Sequence, residues 1–234
     1  MMSEARIRVI TAALVAALTA PVAAHAQEAA TPSGAGTPLE IQAAAPAARI
    51  GLRAFASFDV NRMAASQSFR AVAGTSDLSG FGAGADILRL WHSAFARVGV
   101  SRIRTDGTRV VVFEDEPTPN GVATSIRMTP LEVAGGWRFG RRGRLVPYGG
   151  AGLVRLAYEE TTDFDQPGED TSQTFTGSLL FGGVDVQLAG ALGFGAELQH
   201  RRLANALGAA GASAAFGEDD LGGLTFRIWI GIGR

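Results

Sequence analysis

The sequence predicts an all-β chain: an eight-stranded antiparallel up-and-down transmembrane β-barrel, preceded by a signal peptide and a flexible linker. Three observations predict it. Apolar and polar residues alternate with a period of two from Arg49 to the C-terminus. The connections between these runs are alternately short and long. The first residues read as an export leader and contribute nothing to the fold.

The leader comes first. Arg6 and Arg8 precede a mostly apolar stretch from Val9 to Leu18, and Pro21 and Ala24-His25-Ala26 follow it. A basic start, a short apolar core and an Ala-x-Ala site make a secretory signal peptide, residues 1–26, cleaved after Ala26. Residues 27–48 are rich in Ala, Pro, Thr and Gly, with Glu28 and Glu40 as the only charges. Such a segment has no core face to bury and is expected to be a disordered linker. The barrel is expected over 49–234.

Eight strands are expected at about 49–61, 78–90, 93–115, 121–139, 144–160, 171–189, 191–203 and 221–233. In the first, Ile50, Leu52, Ala54, Ala56, Phe58 and Val60 share one face, and Gly51, Arg53, Phe55, Ser57 and Asp59 the other. In the last, Leu224, Phe226, Ile228, Ile230 and Ile232 oppose Thr225, Arg227, Trp229, Gly231 and Gly233. A strand collects such sets on one face, whereas a helix scatters them. The alternation slips near Pro130 and at Gly182-Gly183, where bulges are expected. Short turns at 90–92, 140–143 and 189–190 face long loops at 62–77, 116–120, 161–170 and 204–220. Outer-membrane barrels have short periplasmic turns and long external loops, and an even strand number returns both chain ends to the periplasm.

Composition excludes several classes. The 234 residues are 47% hydrophobic, too apolar for a disordered chain, and carry a net charge of −1. That balance argues against a nucleic-acid partner. There is no cysteine, hence no disulfide, thiolate zinc site or cysteine nucleophile. All 21 basic residues are arginine, so neither a Schiff-base lysine nor a Walker loop is available. Beyond the leader no apolar run reaches the roughly 20 residues of a membrane helix. Glycine runs such as Gly80–Gly84 precede strand alternation, not a helix, so they relieve crowding on a curved wall and do not cradle phosphate.

The polar strand faces hold the sharpest information. They carry Arg53, Arg97, Arg138, Arg155, Arg201 and Arg227 with Asp59, Asp86, Glu132, Glu159, Asp185 and Glu197, six of each sign. The bore of an eight-stranded barrel is just filled by side chains, and unpaired buried charges are costly. A packed, salt-bridged interior is expected rather than a conduit. Neither histidine beyond the leader, His92 or His200, has a Ser or carboxylate at a diagnostic spacing, so no catalytic residue, metal or cofactor is expected.

Val98–Arg102, Thr129–Phe139, Leu145–Gly152 with its Pro-Tyr-x-Gly-x-Gly start, and Phe216–Gly223 leading into the last strand resemble a known family. They look like the small eight-stranded outer-membrane β-barrel proteins of Gram-negative bacteria, of the outer-membrane protein A and X type. The resemblance covers 49–234. It implies an integral outer-membrane location, insertion by the barrel assembly machinery and a filled interior. The chain ends Trp229-Ile230-Gly231-Ile232-Gly233-Arg234, without the terminal aromatic residue common in such barrels.

Three surface features complete the reading. Trp91, Trp137 and Phe139 are expected in the interfacial aromatic girdle at the short-turn rim. The long-loop end is acidic, with Asp106, Glu114–Glu116, Glu159, Glu160, Asp163, Asp165, Glu169, Asp170 and Glu218-Asp219-Asp220; solvated loops are expected here, and a divalent-cation bridge to lipopolysaccharide phosphates or a metal site at Glu218-Asp219-Asp220 is the alternative. The third hairpin exceeds the 9–11 residues that span a membrane, so about 103–128 should protrude, with Val110, Val112, Ile126 and Met128 as an adhesive or partner-binding surface. Two other readings stay open: a small porin, and a soluble periplasmic lipocalin-like barrel with its apolar face inward.

Overall fold

The computed structural model describes residues 50–113, 116–140, 144–163, 171–188, 190–208 and 211–233. The expected signal peptide and linker lie outside these residues, as do Glu114, Asp115, Arg141, Arg142, Asp165, Glu169 and Asp170. The strands are β1 (Gly51–Met63), β2 (Asp77–Leu88), β3 (Ala94–Phe113), β4 (Glu116–Arg138), β5 (Leu145–Thr162), β6 (Thr171–Gln187), β7 (Leu192–Arg202) and β8 (Gly223–Gly233). Each pairs antiparallel with its sequence neighbour, and β1 with β8 closes the barrel.

The register fixes the barrel's dimensions. Leu52 pairs with Ile87, which leads in turn to Ala96, Gly135, Ala151, Leu180, His200 and Leu224. Leu224 then pairs with Arg62, back on β1 and ten residues further along (62 − 52 = 10). With a rise of ~3.3 Å per residue and strands ~4.8 Å apart, this stagger tilts the strands by about 40° around a radius of about 8 Å. Such a bore takes side chains from opposite walls and leaves no wide lumen.

The expected bulges at Pro130 and Gly182-Gly183 do not occur. Register runs unbroken through Pro130↔Leu156 and through Gly182↔Leu198. The only register shift in the β3–β4 pair lies between Thr108 and Val110. What slips at Pro130 is the side of the wall that is apolar, not the backbone. At Gly182-Gly183, Phe181 points inward into an aromatic cluster, and Val184 faces the other way on a regular strand.

That change of side is systematic. In the half of the barrel nearer the short turns, apolar residues point outward: Leu153 is 63% exposed, and Leu131, Val133, Val98, Phe226 and Ile228 are exposed too. Arg227 points inward. Trp91, Trp137 and Phe139 are exposed at the short-turn rim, with the two indoles 5.8 Å apart and edge to face. Nearer the long loops the pattern inverts. Val154, Leu156 and Tyr158 of β5 point inward, and so do Ile126 and Met128 of β4 and Ile103 of β3. Lipid surrounds the first half and water the second, and each apolar set faces away from water. An inward apolar face along the whole barrel, as a soluble lipocalin-like protein needs, is absent.

The inverted half forms a plug that includes one helix inside an expected loop, α1 (Ser66–Ala73); a second helix, α2 (Gly211–Phe216), lies inside another. Phe69 of α1 is buried against Met63, Leu78, Leu203 and Leu221. Gly74, at φ +73°, ends α1 with a left-handed cap whose N–H donates to the Arg70 carbonyl.

Candidate functional site: the filled bore

Five arginines and five carboxylates occupy the bore. Strand alternation points them inward from seven strands, all but β5. Arg53 bonds Asp86 and Asp185, and Arg138 reaches Asp185 at 2.7 Å. Arg97 bonds Asp86 at 2.7 Å and also Glu197. Higher up, Arg227 takes Asp59 with both Nε and Nη2, each at 2.8 Å, and meets Glu132 at 2.9 Å. Arg201 bonds Glu132 at 2.6 Å. Gln199 links the two levels, donating to Glu197 at 2.7 Å and accepting from Arg201 at 2.8 Å. Asn61 accepts from Arg201 and from the Thr225 hydroxyl. Every carboxylate thus meets at least one guanidinium, as a water-poor interior requires.

Aromatic rings fill the remaining space near the short turns. Phe55, Phe95, Tyr148, Phe181 and Trp229 are buried together. The Arg97 guanidinium lies between 5.1 and 5.7 Å from the rings of Phe55, Phe95, Tyr148 and Phe181, and that of Arg53 lies 4.2 Å from Trp229. Each ring sits opposite a glycine on the neighbouring strand: Phe55↔Gly84, Phe95↔Gly136, Tyr148↔Gly183, Phe181↔Gly150 and Trp229↔Gly195. A Cβ at any of these glycines would come within 2.9 Å of its ring. The glycines are the sockets into which the rings fold.

Ten of the twelve sequence-derived interior charges are in this network: Arg53, Asp59, Asp86, Arg97, Glu132, Arg138, Asp185, Glu197, Arg201 and Arg227. Arg155 and Glu159 are not. Both are exposed on the outer wall, beyond the level at which β5 changes sides, and Glu159 pairs there with Arg127 at 3.0 Å. Losing one charge of each sign leaves the interior balanced. The aromatic layer was legible in the same alternation, and its signal is a ring facing a glycine across strands.

The proposed contact surface fares differently. Ile126 and Met128 are 4% and 1% exposed, packed inside the plug, so neither can meet a partner. Val110 is half-buried, Val111 beside it is exposed, and the side chain of Val112 lies outside the described set. Glu218 and Asp220 are structural. The Glu218 carboxylate accepts from the backbone N–H groups of Gln67 and Ser68 and from the Ser68 hydroxyl, at 2.7 to 2.9 Å, capping the N-terminus of α1. Burial pushes this carboxyl up, yet those hydrogen bonds and Arg70 outweigh it and hold it below its ordinary value. Asp220 accepts from Leu203 and Gly222 N–H. Asp219 is exposed, and its carbonyl receives the Ala206 and Leu207 N–H groups. No cluster of three or more metal-ligating side chains occurs among the described residues.

A vestibule of about 810 Å³ opens at the short-turn end, lined by Arg53, Trp91, His92, Arg138, Asp185 and neighbours. The ion pairs of Arg53 and Arg138 with Asp185 lie in its lining. The other histidine, His200, is exposed on the outer wall.

No curated protein matches the chain. Among solved structures, Ail, the attachment invasion locus protein of Yersinia pestis, in complex with the heparin analogue sucrose octasulfate, is 12% identical; the match covers 79% of this chain and 99% of Ail at a TM-score of 0.49. The outer membrane protein OprG of Pseudomonas aeruginosa is 14% identical over 79% of this chain and 95% of its own, also at 0.49. Neisserial surface protein A is 12% identical over 79% and 95%, at 0.44. The outer membrane protein beta-barrel domain model matches residues 10–228. The match spans nearly the whole chain and agrees with the closed eight-stranded wall and its lipid-facing band, so the chain belongs to the outer membrane protein β-barrel domain family and is integral to the Gram-negative outer membrane.

Proposed function

We propose that this barrel is a closed structural element of the outer membrane that meets partners at the cell surface and has no catalytic role. One observation carries the reading: the ion-pair ladder and the apolar plug fill the bore between the vestibule and the long loops. An ion would have to break paired buried charges and then cross an apolar layer, each step costing several kcal/mol. Planar-bilayer recordings of the full chain are expected to show no stepwise current. Discrete openings that scale with protein concentration would support the porin reading instead.

The partner-binding side rests on the third hairpin. Pairing between β2 and β3 ends at Gly80↔Ile103, whereas β3 and β4 stay paired out to Phe113↔Glu116. Beyond Ile103, β3 has an edge that β2 does not cover, and such edges accept another strand. Replacing 109–122 by a two-residue turn between the paired Thr108 and Ala123 keeps Ile126 and Met128 in the plug. The shortened protein is expected to fold and to lose surface binding. Unchanged binding by cells carrying it would refute this role for the hairpin.

The same reading takes residues 1–26 as a removed leader, 27–48 as a linker, and the barrel assembly machinery as the route of insertion. Mass analysis of the mature protein should find Gln27 first.

A further inference from the structure

Five arginines stand at one level on the outer wall. They are Arg62 on β1, Arg102 and Arg104 on β3, Arg155 on β5 and Arg202 on β7, all exposed. Ideal geometry for the observed stagger puts them roughly 21–26 Å along the axis from Leu52. Apart from Val111 on the protruding hairpin, the last large exposed apolar residues of the described wall, Val60, Phe81, Leu131 and Leu224, lie just below, at roughly 18–22 Å. The arginines therefore form a collar where the apolar band of about 25 Å ends.

Their partners set them apart. Every interior arginine bonds a carboxylate at 2.9 Å or less. In the collar, Arg62 and Arg104 make only exposed pairs among the described residues, with Asp77 at 3.8 Å and Asp106 at 3.5 Å, and such pairs hold little. Arg102, Arg155 and Arg202 make no ion pair among the described residues. Asp77, Asp106 and Glu159 lie farther from the band on the next lines of register, leaving the collar itself without an acid. Positive charge at this depth faces the headgroup layer around the long-loop end. A guanidinium fork meets phosphate oxygens two at a time, which the chain's exclusive use of arginine over lysine favours.

We propose that this collar is a binding site for the phosphates of the outer-leaflet glycolipid, lipopolysaccharide. The proposal rests on the membrane location and is independent of whether the barrel conducts or adheres.

The test titrates the full chain, folded in neutral detergent, with diphosphorylated lipid A, dephosphorylated lipid A, phosphatidylglycerol and inorganic phosphate, counting bound molecules by native mass spectrometry. Saturable binding of diphosphorylated lipid A is expected. Dephosphorylated lipid A should bind at least tenfold more weakly, and phosphatidylglycerol and inorganic phosphate should not compete. R102Q/R155Q/R202Q is expected to keep heat-modifiable migration and lose at least tenfold in affinity. The corresponding triple lysine variant should lose only several-fold. The single variants R102Q, R155Q and R202Q, each expected to lose a few-fold, keep the test decisive if the triple variant fails to fold. Wild-type affinity in the glutamine variants, or indifference to dephosphorylation, would overturn the site. Equal binding of phosphatidylglycerol would overturn the glycolipid as its occupant.

Discussion

At the residue scale, Glu132 is the most connected carboxylate of the upper bore, joining Arg201 and Arg227. Glu132→Ala leaves both guanidinia short of a counter-charge within a buried network. We expect a loss of about 3–5 kcal/mol, read as an earlier denaturant midpoint for the detergent-folded protein. A change below 1 kcal/mol would mean that water reaches this level of the bore. Glu218 is a second test, outside the lipid band. Its carboxyl is held below its ordinary value, so its contribution is full above the unfolded-state pKa and fades as pH falls through the lower folded value. The amides of Gln67 and Ser68 should therefore be strongly protected relative to their intrinsic exchange rates at neutral pH and less protected in acid. In Glu218→Gln protection should be low at both; pH-independent protection in the wild type would refute the latch.

At the scale of elements, the ring-and-glycine sockets make a sharp prediction. In Gly195→Val the new side chain starts 2.5 Å from Trp229 and 2.5 Å from the Val184 carbonyl. We expect about 1–3 kcal/mol of destabilisation or outright failure to fold. Trp229→Ala in the same background should recover part of it, and no recovery would show that backbone crowding alone is responsible. The strands themselves were legible from alternation to within a few residues, because each has one face in lipid and the other in a polar bore. Arg155, Glu159, Ile126 and Met128 were not. A single phase of alternation assigned Arg155 and Glu159 to the bore, and an exposed hairpin was read for Ile126 and Met128. The physical rule that changes sides is water on the outside, and it starts partway up β4 and β5. The helices were also hidden: α1 has no side-chain cap of its own and borrows Glu218 from a loop about 150 residues away.

The barrel as a whole is one wall in two solvents. Over the height of a lipid band it is apolar outside, with ion pairs and aromatic rings inside; above that band it is largely polar outside and apolar inside. Within the bore the charges balance, five arginines against five carboxylates. The inversion explains how the strands and the loops between them close the bore. The two halves meet at the arginine collar, which marks the lipid boundary on β1, β3, β5 and β7. Because the chain has no cysteine, a single introduced cysteine carries a spin label without competition. The most direct measurement is collision accessibility of labels placed one at a time at Ala151, Leu153, Arg155, Ala157 and Glu159 of β5 in bilayers. Oxygen should dominate at 151 and 153, a water-soluble nickel complex at 157 and 159, with the crossover at 155. Nickel accessibility at 151 and 153, or lipid-like accessibility at 159, would contradict the inversion.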